Sequence, residues 1–247
     1  FANDLFWPRV TNPASVYWAP VGDWESADWE SLLPQLFPDG MTFERVPEKL
    51  AQLWSERLNN RITIEEQRSE WEYVYSVEEL VALRGNRFHK KKNLLKQFQR
   101  NYVSEYKSLG RDDVDGILEM QQLWCEWKSC DDIPGLRAEN HAISRVLKKW
   151  DHLPGLLCGA LYVKDYMVAY AVGEPMTDDM VVVHFEKGLA EYKGVYQAIN
   201  QGFLENSCSG FKWANREQDM GEEGVRQAKE SYNPSHFLKK YRAVWKG

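Results

Sequence analysis

Apolar positions along this chain recur with two periods, and the alternation between them lays out its elements. Pro47 to Leu58 places Leu50, Leu53, Trp54 and Leu58 at amphipathic-helix spacing behind an initiating proline. Trp29 to Leu36 reads as a helix stopped by Pro38 and Gly40. Val16-Tyr17-Trp18, Ile62-Thr63-Ile64 and Trp71 to Tyr75 read as short strands, the first ended by Pro20 and Gly22. Ser76 and Glu79 form a Ser-x-x-Glu capping box, which should open a helix. Phe88 to Tyr102 predicts a helix with two unlike faces. His89, Lys92, Lys96 and Arg100 share one face, while Leu95, Phe98 and Tyr102 share another. Lys91 falls on the apolar stripe, so it must snorkel, pair or face an anionic pocket.

Beyond this helix the order is regular. Val103 to Leu109 is a strand. Asp112 to Lys128 and Arg137 to Trp150 are helices with Val114, Ile117, Leu118, Trp124, Ile143, Val146, Leu147 and Trp150 turned inward. Three strands follow, Leu156–Val163, Tyr166–Gly173 and Met180–Glu186, the first two joined by the tight Lys164-Asp165 link of an antiparallel hairpin. Then come a helix (Val195–Glu205), a strand (Phe211–Ala214), a helix (Glu222–Ser231) and a last strand (His236–Val244). This order matches, element by element, the Gcn5-related N-acyltransferase fold. The expected class is therefore α+β, with mixed, mostly antiparallel sheets flanked by helices. The N-terminal part reads as a degenerate second copy of that fold, giving tandem domains at 1–102 and 103–247.

Composition narrows the function classes. The 247 residues are 43% hydrophobic, ample for a core, and hold 11 Trp, whose N–H groups should place many of them at boundaries or clefts. The net charge of −6 means that any nucleic-acid contact must use a local basic patch. No apolar run reaches membrane-span length and no signal-peptide core is present. Cys125, Cys130, Cys158 and Cys208 include no CxxC pair and no zinc spacing, which predicts reduced thiols, a cytoplasmic location and no structural metal. Cys125 and Cys158 read as plain core residues. The chain begins at Phe1 without Met.

The densest chemistry lies at Asn215-Arg216-Glu217-Gln218-Asp219-Met220-Gly221, between a strand and a helix, where α/β enzymes place their active groups. The same residues would also serve as an Asn-initiated turn with acids preceding a helix. This segment, Tyr73 to Leu80, Arg87-Phe88-His89-Lys90-Lys91-Lys92-Asn93 and Ala228-Lys229-Glu230-Ser231-Tyr232-Asn233-Pro234 together resemble a bacterial family of soluble proteins. That family is related to the C-terminal domain of phosphatidylglycerol lysyltransferase, which moves lysine from lysyl-tRNA onto a lipid headgroup. The resemblance runs from about Trp71 to the end, and more loosely to Phe1-Ala2-Asn3. Between that tripeptide and Ala19 to Asp23 the chain is shorter than the family pattern, leaving open whether a hairpin is absent or residues are missing.

The resemblance implies two tandem acyltransferase-like domains with the active site in the second. Acyltransferases of this fold hold their donor where the fourth and fifth strands splay. Here the splay would set His184 and Glu186 against Asn215, Arg216, Glu217 and Asp219. Glu217, Asp219 and Glu186 are the candidate catalytic carboxylates, since paired acids can raise one pKa toward the working pH. For Glu217 the alternative is a salt bridge, and for His184 a satisfied core position. Lys91, Arg216 and Lys229 can take phosphate or carboxylate groups, and Tyr232 is a further candidate binding residue.

Lys193 and Gly194 occupy the place of the pyrophosphate loop of acyl-CoA enzymes. With Glu191, Tyr192 and Tyr196 around them, they make a poor phosphate cradle. Aminoacyl-tRNA is therefore the expected donor, with acyl-CoA the alternative and no tightly bound cofactor. The acceptor would be an amine or hydroxyl on a small molecule or lipid headgroup, and a non-catalytic binding module of the same fold is the third reading. His89, Lys92, Lys96 and Arg100 would form the tRNA patch, with Lys91 turned into the cleft of Arg216.

Overall fold

The computed structural model describes residues 4–11 and 16–247. The Phe1-Ala2-Asn3 motif and part of the short stretch after it lie outside the described residues. In chain order the elements are β1 (Arg9–Val10), β2 (Val16–Trp18), α1 (Trp29–Leu36), β3 (Met41–Pro47), α2 (Glu48–Leu58), β4 (Ile62–Glu66), β5 (Glu72–Ser76), α3 (Val77–Ala82), α4 (His89–Asn101) and β6 (Ser104–Leu109). They continue with α5 (Val114–Lys128), α6 (Pro134–Lys148), β7 (Leu157–Val163), β8 (Tyr166–Thr177), β9 (Met180–Gly188), α7 (Val195–Ser207), β10 (Trp213–Asn215), α8 (Glu223–Glu230), β11 (His236–Leu238) and β12 (Lys240–Trp245). The class is the expected one, α+β with two mostly antiparallel sheets flanked by helices. No helix among the described residues is long and apolar enough to cross a membrane.

The chain does not divide at 102/103. One compact unit comprises Phe1–Tyr73, Gln218–Gln227 and His236–Gly247; the other comprises Val74–Glu217 and Ala228–Ser235. The C-terminal segment therefore completes the first unit, because β12 pairs with β3 on one side and β4 on the other. The expected single last strand is two, β11 and β12, assigned to different sheets.

In the first unit the sheet order is β1-β2-β3-β12-β4. α1 opens where Asp28 accepts the Ser31 N–H and buries Trp29, Leu32 and Leu33 on one face. α2 contributes Leu50, Leu53 and Trp54, and the sheet contributes Phe43, Val46, Ala243 and Trp245. Trp29, Trp54 and Trp245 are fully buried, so the expectation of boundary tryptophans fails here. Two of these rings meet edge to face, Trp29 against Trp54 at 5.3 Å, and Trp245 Nε1 donates to the Phe37 carbonyl at 3.0 Å. β3 escaped the sequence reading because its buried residues, Phe43 and Val46, are three apart. Arg45 between them sits at φ +56°, and the pairing with β12 slips at that point.

In the second unit the strands run β5-β10-β9-β8-β7-β6. All of these six pair antiparallel except β9 and β10, which are parallel. The β7–β8 hairpin turns through Lys164 and Asp165, both left-handed, as a tight two-residue link requires. Val114, Ile117 and Met120 of α5 and Ile143 and Leu147 of α6 pack on Tyr170 and Val172 of β8. α7 buries Val195, Ile199 and Phe203 and lies beside α3 and α4. Cys125 and Cys130 form a disulfide across the end of α5, correcting the reading of Cys125 as a plain core thiol and of all four cysteines as reduced. Cys158 and Cys208 are buried free thiols.

Candidate active site

The β9–β10 ladder is three residues long, from Met180/Trp213 to Val182/Asn215. Beyond it β9 runs on to Gly188, while β10 ends at Asn215. The two strands thus part where His184 and Glu186 leave β9 and Arg216 and Glu217 leave β10. The β8–β9 register slips between Gly173/Val183 and Val172/Phe185, which leaves His184 at a bulge of β9. Two polar pairs bridge the gap. Arg216 Nη2 donates to Glu186 Oε1 at 3.0 Å, and His184 Nδ1 lies 3.0 Å from Glu217 Oε1.

The turn after β10 is built by its own side chains. Asn215, 1% exposed, accepts the Glu217 N–H on its Oδ1 at 2.8 Å, an Asx turn that holds Glu217 at φ +55°. A left-handed glutamate is uncommon, and such positions cluster where function over-determines the backbone. The Lys229 ammonium donates to the Arg216 carbonyl and, at 3.3 Å, to that of Glu217. Lys229 therefore clamps the loop instead of facing a substrate. Its own carbonyl accepts Tyr75 Oη at 2.8 Å.

His184 also meets a carboxylate that the sequence did not suggest: its Nε2 lies 3.1 Å from Glu174 Oε1 on β8. An imidazole flanked by two carboxylates satisfies both only when both nitrogens carry protons. Accordingly its pKa is raised, chiefly by the bond to Glu217, against the opposing effect of burial. His184 thus links Glu217 to Glu174.

Glu186 is a counter-ion and not a free base. Its second oxygen accepts from Asn200 of α7 at 3.1 Å, and the Arg216 guanidinium occupies the first. The Arg216 side chain is buried, over the ring of Tyr232 at 4.9 Å. Lys91 of α4 lies over the same ring at 4.1 Å. Burial, and then the neighbouring Arg216 charge, push the Lys91 ammonium down to about 8. Tyr232 is itself 5% exposed, accepts Gln197 Nε2 at 3.2 Å, and is pushed up to about 12 by burial. His89, Lys92, Lys96 and Arg100 are exposed along α4.

Asp219 corrects the sequence reading most sharply. It belongs to the first unit and is a structural anchor. Its Oδ2 accepts Tyr73 Oη at 2.7 Å, Arg226 Nε at 2.9 Å and Arg68 Nη1 at 3.2 Å, and its Oδ1 accepts Arg226 Nη2 at 3.0 Å and the Gly221 N–H at 2.8 Å. Burial alone would raise its pKa. The bonds from Arg226, Tyr73 and Gly221 outweigh that and hold it far below the usual carboxylate range. With both oxygens taken up by these donors, Asp219 is placed as an anchor within the first unit.

The Lys193–Gly194 loop is likewise structural in part. Gly194 caps α7 at φ +87°, and a Cβ there would stand 2.2 Å from the Leu94 carbonyl of α4. Tyr192 packs on Tyr102 at 5.1 Å, and Lys193 is exposed. Glu174, Asn200 and Gln197 were missed because they sit inside long strands and helices, where only the fold brings them to the splay. Arg68, Tyr73 and Arg226, the partners of Asp219, come from three separate elements and share no motif.

A family model described as "Phosphatidylglycerol lysyltransferase, C-terminal" matches residues 4–244. The chain belongs to this family. A solved structure of a conserved protein of unknown function from Bacteroides thetaiotaomicron is similar at 29% identity and a TM-score of 0.88, covering 98% of this chain and 83% of that one. The C-terminal domain of a putative lysylphosphatidylglycerol synthetase from Agrobacterium fabrum shares the fold, with 13% identity and a TM-score of 0.65 over 98% of this chain and 81% of that one. An uncharacterized protein of Mycoplasmoides gallisepticum is 24% identical over 172 residues, 68% of this chain. The chain spans about half of that curated relative, 54% of its length.

Proposed function

We propose that the second unit is an aminoacyltransferase that moves an amino acid from a charged tRNA to an amine or hydroxyl acceptor. The observation that carries this reading is the splay itself, with Glu217 held at its mouth by the Asx turn and by His184. In the reaction the acceptor nitrogen or oxygen attacks the aminoacyl ester carbon. The new amide or ester bond forms, the ester bond to the tRNA ribose breaks, and the acceptor proton leaves to Glu217. The ribose oxygen departs as a hydroxyl on taking up a proton. Glu217 is half-exposed at the splay, which suits a general base. His184 and Glu174 position it.

The family membership supports aminoacyl transfer as the chemistry. The loop at Gly194 supports tRNA over acyl-CoA as donor. There the glycine serves the close approach of α4, since a Cβ would stand 2.2 Å from the Leu94 carbonyl, and bulky Tyr192 and Tyr196 flank it where a phosphate cradle needs small residues. The acyl-CoA reading predicts a rise in melting temperature with millimolar acetyl-CoA, which the tRNA reading does not.

The test is transfer of labelled amino acid from a pool of charged tRNAs to a metabolite and lipid extract. Transfer is expected with the wild type and should fall about 100-fold in Glu217→Gln, the scale of a lost general base. Unchanged folding of that variant, read by its denaturation midpoint, is expected because Glu217 is partly exposed. Absence of transfer and of binding with every charged tRNA would reject the reading.

A further inference from the structure

Two cations and one anion meet over Tyr232. The positive groups are Arg216 and Lys91; the negative one is Glu186. Tyr232 is pushed up to about 12 by burial and stays a neutral phenol. Arg216, Lys91 and Glu186 together therefore carry one more positive charge than negative.

Its hydrogen bonding is also incomplete. Arg216 Nη2 is bonded to Glu186, but Nη1 is buried with no partner among the described residues. A buried charged donor left unpaired is costly, so such groups are rare and ask for a reason. Lys91 makes no ion pair among the described residues, and its ammonium rests on a ring face. Glu186 does not supply the missing acceptor: its bonds are to Arg216 Nη2 and to Asn200 Nδ2.

We propose that Arg216 Nη1 and Lys91 Nζ form a subsite for a monoanionic oxygen group, a carboxylate or a phosphodiester, seated at the edge of Tyr232. One such group would cancel the single excess charge and fill both open donors. A pyrophosphate or a phosphate dianion would overfill it. Because one guanidinium nitrogen is committed to Glu186, the ligand is gripped by one Arg N–H group and one ammonium, not by a bidentate fork. That the group belongs to a substrate of the transfer reaction rests on the proposed function; the subsite itself does not.

Anion binding should depend on pH. The bound anion favours charged Lys91, whose ammonium is pushed down to about 8 by burial and by Arg216, with Glu186 the opposing influence. Affinity should hold below pH 8 and then fall, approaching tenfold per pH unit, as Lys91 loses its proton.

The test is a titration of the full chain with dimethyl phosphate, with acetate and with pyrophosphate, following the Lys91 side-chain resonance by NMR. Saturable binding of either monoanion is expected at pH 7, with the Lys91 pKa rising and at least tenfold weaker binding at pH 9.5. The tighter monoanion identifies the source, phosphodiester or carboxylate. Lys91→Ala should lose most of the affinity, and Lys91→Arg should keep it while losing the fall above pH 8. Arg216→Gln should also lose it, and the two Lys91 variants decide the matter should that buried change impair folding. No saturable shift with either monoanion, an unchanged response in Lys91→Ala, or tightest binding of pyrophosphate would overturn the proposal. Binding without any transfer from charged tRNA would sink the aminoacyl reading and leave the subsite standing.

Discussion

Asp219 and Glu186 each meet arginine, with opposite results. Around Asp219, two guanidiniums, a phenol and a backbone N–H converge on one buried carboxylate, and both its oxygens are filled. Around Glu186, one guanidinium and one amide fill the carboxylate, while the arginine keeps a buried nitrogen open and a second cation stands beside it. Both are charge clusters in the stretch whose composition suggests catalysis. The first is closed and serves stability; the second is open and fits a ligand. What separates them is whether every donor has found an acceptor, not how many charges are present.

The largest expected effect comes from breaking the closed cluster. Asp219→Ala removes the carboxylate that Arg68, Arg226 and Tyr73 share and should cost the first unit about 3 kcal/mol, the scale for removing one partner of a buried pair. Chemical denaturation followed by the tryptophans of that unit measures it, and a loss below about 1 kcal/mol would contradict the anchor role. The sign with pH follows. The folded pKa lies below the unfolded value near 3.9, so the stabilisation is complete above about pH 4. It is lost progressively as the solution is acidified toward the folded pKa. Asp219→Ala should therefore flatten the acid limb of the stability curve.

A smaller effect should follow from disturbing the open cluster without changing a charge. Gly194→Ala drives a methyl into the Leu94 carbonyl at a left-handed position, for a cost of about 2 kcal/mol. Because α4 carries Lys91 and α7 carries Asn200 and Gln197, hydrogen exchange should quicken in both helices. The anion response of Lys91 should weaken with it. Faster exchange in neither helix would mean that the close approach is not holding them.

The smallest expected change is on the outer face of α4. Lys92→Ala combined with Lys96→Ala should leave stability and the Lys91 titration unaltered. It should weaken tRNA binding and reduce the slope of log affinity against log salt by roughly 1.5, near 0.7 for each phosphate no longer neutralised. Lys91→Ala should do the reverse, lowering turnover more than tRNA affinity. Equal, small effects of both would make the helix a solvated connector.

Most elements were legible in the chain because their cues are local. The Ser76 hydroxyl does accept the Glu79 N–H, the two-residue link at Lys164 does close a hairpin, and the stripe of Leu95 and Phe98 is buried while Lys92 and Lys96 are exposed. Even the inward register of Lys91 follows from helical spacing alone. β3 was not legible, since one left-handed residue breaks the alternation that marks a strand. The domain division was not either: β12 finds its partners about 175 to 200 residues earlier in the chain, and no periodicity reports such a pairing. The sequence by itself determined which residue types crowd into 215–221 and that a strand–turn–helix would present them. Only the tertiary structure decided that Asp219 is neutralised by Arg68 and Arg226, that Glu217 leans on His184, and that Arg216 keeps a donor open. The reason is that a carboxylate's role is set by the charges and solvent around it, and those arrive from β8, α4, α7 and a 3₁₀ turn at Arg68 that no local spacing connects.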